Sequence, residues 1–179
     1  KDAQARRVAA YMNYQLLEEQ PEWESDMDRL LLALPIEGCE LKKSYFSPDL
    51  GRNVSDWIRP VDFIVHNVTR NLATCPRMTH RLWFYPQEII EKQRSEVWRE
   101  VNLNISQTET EEDIQQEFYE QHCLLDLDED DYKEPYCVTA HVKSEEVLRI
   151  RASYDADSIE ESKGKIIKIK RTEYLQNKW

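Results

Sequence analysis

THRLWFYPQEIIEKQRSEVWREV, residues 79–101, is the stretch on which the fold turns. An aromatic run, Trp83-Phe84-Tyr85, leads into Pro86, and a helical pattern follows with Ile89, Ile90, Val97, Trp98 and Val101. Proline is accepted at a first helical position, because the N–H it lacks would have no intrahelical partner there. Ile90, Val97, Trp98 and Val101 recur at helical spacing, so the pattern predicts a helix with one apolar face that needs a cover. Leu82 to Tyr85 reads as a buried strand feeding that helix. Upstream the pattern is mostly helical, and beyond Tyr136 it is that of strands. The fold class expected is α+β. A helical N-terminal layer of about five helices packs on a small, mainly antiparallel sheet formed largely by the C-terminal third.

Working towards the N-terminus, Val8, Tyr11, Met12 and Leu16 share a face and predict a helix over 3–19. Gln20-Pro21 breaks it, and Pro21 opens a second helix with Trp23, Met27, Leu30, Leu31 and Leu34 in phase and Pro35 as its end. A stripe of this kind is expected to be core, and the two helices to form a hairpin. Cys39, Leu41, Lys43 and Tyr45 alternate with polar residues and permit a strand near 39–46. Ser47-Pro48-Asp49 and Gly51 then make a turn. Val61, Ile64, Val65, Val68 and Leu72 predict a helix from Pro60, closed by Thr74-Cys75-Pro76.

Towards the C-terminus, Asn102–Thr110 is a polar connector. Ser106 with Glu109, and Thr108 with Glu111, have capping-box spacing. They precede a predicted helix with Ile114, Phe118, His122 and Leu125 on one face, where His122 reads as a core-edge histidine. Asp126–Glu134, DLDEDDYKE, is an acidic loop, and past it the period changes from 3.6 to 2. Val138, Ala140 and Val142 alternate with Cys137, Thr139 and His141. Leu148, Ile150, Ala152 and Tyr154 alternate in the same way, so a hairpin is expected. After an acidic loop over 155–162, Lys163-Gly164-Lys165 opens a third strand with Ile167 and Ile169 inward and Lys168 and Lys170 outward. The chain thus reads as one domain over 1–179, with a mainly helical part (1–125), an acidic loop (126–135) and a β-meander (136–179).

Three glycines in 179 residues argue against glycine-rich phosphate loops and a dinucleotide-binding turn. No apolar run approaches the ~18 residues of a membrane span. The chain begins Lys-Asp-Ala-Gln-Ala-Arg-Arg without a Met or an apolar leader, so it reads as an excised or processed piece without a signal peptide. The four cysteines, Cys39, Cys75, Cys123 and Cys137, lack zinc-motif spacing and read as reduced thiols of an intracellular protein, in cytoplasm or nucleus. Three N-glycosylation sequons, at Asn53, Asn67 and Asn104, keep a secreted protein as the alternative, although Asn67 falls in a predicted helix. Charge is segregated. Residues 109–161 hold 18 Asp/Glu against 4 Lys/Arg, whereas residues 162–179 hold 6 Lys/Arg against 1 Glu.

Asp126, Asp128 and Asp130 occupy positions 1, 3 and 5 of a calcium loop. Position 6 is Asp131 where glycine belongs, and position 12 is Cys137 where a bidentate Glu belongs, so neither a metal nor a cofactor is expected. No GxSxG, HExxH, GxxxxGK[ST] or GxGxxG occurs. Nothing local marks a Cys–His nucleophile, although Cys137 and His141, four apart on one strand, share a face, and no catalytic residue is assigned.

The function expected from these features is a non-enzymatic protein–protein interaction module, a subunit or adaptor domain of a larger assembly. Asp126, Asp128, Glu129, Asp130 and Asp131 are the residues expected to meet a basic protein surface. Nucleic-acid binding through Lys165, Lys168, Lys170 and Arg171 is the first alternative, opposed by the acidic overall charge. A divalent-metal enzyme using the acidic cluster is the second.

Overall fold

The computed structural model describes residues 2–47, 50–103, 114–154, 159–162 and 165–169. The Asn104 sequon, the capping signals at 106–111, the loop at 155–158, and Lys170 and Arg171 lie outside the described residues. The chain is α+β: three α-helices among the described residues, and antiparallel sheets that lie mostly towards the C-terminus. It divides into two compact units, the first within residues 1–60 and the second within residues 61–176.

In the first unit, α1 (Asp2–Leu17) and α2 (Trp23–Glu37) stand where the apolar spacing places them. α2 passes through Pro35 rather than ending there. Pro35 lies in the last turn, where its missing N–H removes one bond only. Gly38, in the left-handed conformation at φ 77°, closes the helix by donating to the Leu34 carbonyl. Neither helix contains a fully buried residue, and Val8, Tyr11 and Met12 are each more than half exposed. The stripe expected to be core is therefore mostly exposed on α1 and at best half-buried on α2, at Trp23, Met27 and Leu30. β1 (Leu41–Ser47) and β2 (Arg52–Ile58) form an antiparallel hairpin that pairs Lys43 with Asp56. α2 is tied to it by Glu22–Arg52 at 2.7 Å and by Lys42 Nζ, 5.3 Å from the Trp23 ring centre. The Arg52 hydrogen bond holds the Glu22 carboxyl below the usual range.

The second unit is built on a five-stranded antiparallel sheet in the order β3 (Phe63–Val65), β4 (Arg77–Phe84), β5 (Gln116–Leu125), β6 (Glu134–His141) and β7 (Val147–Ala152). Two predicted helices are strands here. The helix expected from Pro60 is a single 3₁₀ turn over Pro60–Asp62 followed by β3. Val61, Ile64, Val65 and Val68 are exposed, so nothing covers the stripe that suggested it. The helix expected over Ile114–Leu125 is β5. Phe118 and His122 are four apart, a spacing that puts residues on one face of a strand as well as of a helix. The residues predicted as an acidic loop up to Ser162 include β8 (Ile159–Ser162), which pairs with β9 (Lys165–Ile169) in a separate two-stranded sheet. The third strand of the expected meander is therefore β9, but in a sheet of its own.

α3 (Pro86–Arg94) starts at Pro86, and the Tyr85 N–H donates to Glu88 Oε2 at 2.7 Å. The helix stops at Arg94, short of the expected Val101, because Glu96 takes φ 59° and turns the chain back. The Trp98 N–H bonds to the Lys92 carbonyl and the Arg99 N–H to the Leu148 carbonyl. This brings Arg99 beside Leu148 of β7, and Trp98 and Leu103 are buried with Ile89, Phe118 and Leu148. Phe84, Trp98 and Phe118 meet with ring centroids 5.0–5.5 Å apart. A smaller cluster of Cys75 and Met78, with Phe63 and Leu72, packs beside β3 and β4.

Candidate functional site

Two groups of side chains in the second unit carry chemistry, both on the β5–β6 hairpin. The first is the acidic loop that joins the strands. Asp126, at the end of β5, accepts from the Asp130 N–H at 3.2 Å and the Asp131 N–H at 3.1 Å. Asp130 Oδ1 accepts from the Tyr132 N–H at 2.8 Å. These bonds wind the loop on the Asp126 carboxylate, in the manner of an Asx-turn. They leave Asp128, Glu129, Asp130 and Asp131 exposed. One carboxylate oxygen each from Asp126, Asp128 and Asp130 lies within 4.8 Å of the other two. Glu129 and Asp131 have φ of 61° and 68°. Asp131 thus takes the left-handed conformation that the sixth position of a calcium loop requires, without being glycine. Position 12 remains Cys137, within β6, and supplies no carboxylate.

Glu134, at the start of β6, is 3% exposed, and its Oε2 has no hydrogen-bond partner among the described residues. Burial raises its pKa above the usual carboxyl range, and the charges of Asp128, Asp130 and Asp126 raise it further. The sequence placed Glu134 within the charge run without marking it as different from its neighbours.

The basic strand reaches this loop. The Ile169 N–H of β9 donates to the Tyr132 hydroxyl at 3.0 Å. Of the four residues of the nucleic-acid alternative, Lys165 and Lys168 belong to β9, while Lys170 and Arg171 lie outside the described residues.

The second group is Glu120, His122 and Cys137. The β5–β6 register sets His122 directly opposite Cys137, and Glu120 is two residues back on the same face of β5. His122 Nε2 lies 3.7 Å from Glu120 Oε1 and 3.9 Å from Cys137 Sγ. His122 is buried, whereas Glu120 and Cys137 are half-buried. Reading β5 as a helix hid this group, since only the strand register brings Cys137 to His122. Spacing alone had put Cys137 with His141. The His141 ring turns instead to the aromatic core, 4.9 Å from Phe118, with Nδ1 2.7 Å from Ser144 Oγ.

No family model matches this chain, and no curated protein matches it. Among the described residues no helix is long and apolar enough to cross a membrane. No disulfide joins the four cysteines, of which Cys39 is exposed and Cys75 buried.

Proposed function

We propose that this chain is a non-enzymatic protein–protein interaction module, a subunit or adaptor of a larger intracellular assembly, and that its acidic loop docks a basic protein surface. The observation that carries the reading is the winding of the loop on Asp126. Carboxylates left to themselves repel and disperse, whereas here backbone N–H groups hold two of them, Asp126 and Asp130, and Asp128, Glu129 and Asp131 stand exposed beside them. A patch organised in advance loses less freedom on binding and steers a cationic partner before contact.

The β9 contact favours this reading over nucleic-acid binding. The Ile169 N–H of β9 bonds to Tyr132, so a polyanion drawn to that end of the strand would approach the loop that carries the carboxylates. Proximity of that kind costs binding strength through like-charge repulsion.

The test is capture from lysate at low and at ~0.15 M ionic strength, where screening lengths near 8 Å separate electrostatic partners from apolar ones. The purified partner's association rate is then measured against the variant with Asp126, Asp128, Asp130 and Asp131 changed to Asn and Glu129 to Gln. The variant should associate more slowly and with a flatter salt dependence. An unchanged on-rate removes the acidic loop from the interface.

A further inference from the structure

The Glu120, His122 and Cys137 side chains are arranged as metal donors are. In a Cys–His–carboxylate relay the thiol and the carboxylate sit at opposite nitrogens of the ring, so that one orients the imidazole while the other gives up its proton. Here both face the same nitrogen, Nε2, at 3.9 and 3.7 Å. Three donors converging on one point describe a shared ion rather than a proton path. A tetrahedral ion held at ~2.0–2.3 Å from each donor sets neighbouring donors roughly 3.3–3.8 Å apart. The observed separations are close to that range, and all three donor atoms lie within 4.8 Å of one another.

The strands hold this geometry. Antiparallel register fixes His122 across from Cys137, and the pleat fixes Glu120 beside His122. β5 is the central strand, paired to β4 on its other edge, so neither backbone is free to drift. Thiolate, imidazole and carboxylate together select a borderline-soft cation over magnesium or calcium. We propose that Glu120, His122 and Cys137 form a transition-metal site, zinc in the first place, with three protein donors and a fourth position left to water. The ion cross-links β5 and β6.

The site is distinct in chemistry from the acidic loop, whose Asp126, Asp128 and Asp130 offer only oxygen. A thiolate signature therefore separates the two. The experiment uses the whole chain, reduced and stripped with chelator, and titrates it with Co²⁺ as probe. The wild type should bind one equivalent with a thiolate-to-cobalt charge-transfer band and the visible bands of a tetrahedral ion, and Zn²⁺ should displace it. Cys137→Ser should abolish the charge-transfer band. Glu120→Gln should keep the band and weaken Co²⁺ binding by ~10-fold or more, because losing a donor costs at least what altering the partner of a donor does. Cys123→Ser, on the opposite face of β5, and the triple Asp126→Asn, Asp128→Asn, Asp130→Asn variant should bind as the wild type does. Zn²⁺ should raise the melting temperature of the wild type and of both of these controls. Circular dichroism shows whether each variant is folded. If Cys137→Ser does not fold, Glu120→Gln decides alone. The proposal is overturned by a wild type without a saturable thiolate band, by a band that survives in Cys137→Ser, or by unchanged affinity in Glu120→Gln.

Discussion

The His141 imidazole packs against the Phe118 ring at a centroid distance of 4.9 Å, with its Nε2 buried and unbonded among the described residues. Burial, helped by the charge of Lys143, lowers the pKa of His141 below 6.5. A histidine whose folded pKa is lowered takes up its proton in the unfolded chain first. Stability is therefore unaffected by this group well above pH 6.5 and falls as pH drops through that value. Thermal melts between pH 7.5 and 5 should show a declining midpoint in the wild type. His141→Phe, which keeps a ring against Phe118 but does not titrate, should show a smaller decline. Equal slopes would exclude His141 as the source.

Phe118 is the centre of the second unit, at 0% exposure between Phe84, Trp98 and His141. Its removal takes away a large apolar surface and leaves a cavity that a sheet with partners on both sides closes poorly. Phe118→Ala should cost about 3–5 kcal/mol in urea unfolding, the range for large core aromatics. A loss below ~1 kcal/mol would mean that the ring cluster is not the core.

Glu134 works in the opposite sense to most surface carboxylates. Its pKa is raised by burial and by the neighbouring aspartates, so its charged form is disfavoured in the folded chain. The cost is absent at low pH and grows as pH rises through the ordinary carboxyl value of 4.5. Glu134→Gln should therefore melt higher than the wild type at pH 7, and the gain should shrink towards pH 4. A variant less stable than the wild type at pH 7 would show that the carboxylate is favourably held there.

The fold class was legible because its two signals are strong. The shift to period 2 beyond Glu134 gave β6 and β7, and Trp83-Phe84-Tyr85-Pro86 marked the strand-to-helix junction. The errors share one cause. Apolar residues four apart fit a helix face, but they also fit every second step of a strand, and Phe118 with His122 satisfies both. Val61, Ile64, Val65 and Val68 are exposed, so their spacing carried no information about a core. The site suffered in consequence. With β5 read as a helix, Glu120 and His122 had no register with Cys137, and spacing along β6 offered His141 instead. The acidic loop was visible as composition, but its winding on Asp126 depends on backbone N–H directions that composition does not encode.

One expectation about compartment changes with the same correction. Asn67 was discounted as a glycan acceptor because a helix was predicted around it, yet it lies exposed in a turn after β3. Asn53 is exposed as well, but it sits in β2, paired with Phe46 in the β1–β2 ladder. An acceptor must present its backbone as well as its amide, so the turn is the better substrate. Expressed through a secretory route, the chain should gain mass from a glycan at Asn67, and Asn67→Gln should lose it. Modification at Asn53 should be less complete. A wild type of unmodified mass under those conditions would show that the turn does not admit the transferase. The intracellular reading, built on four cysteines without a disulfide, would then lose its main competitor.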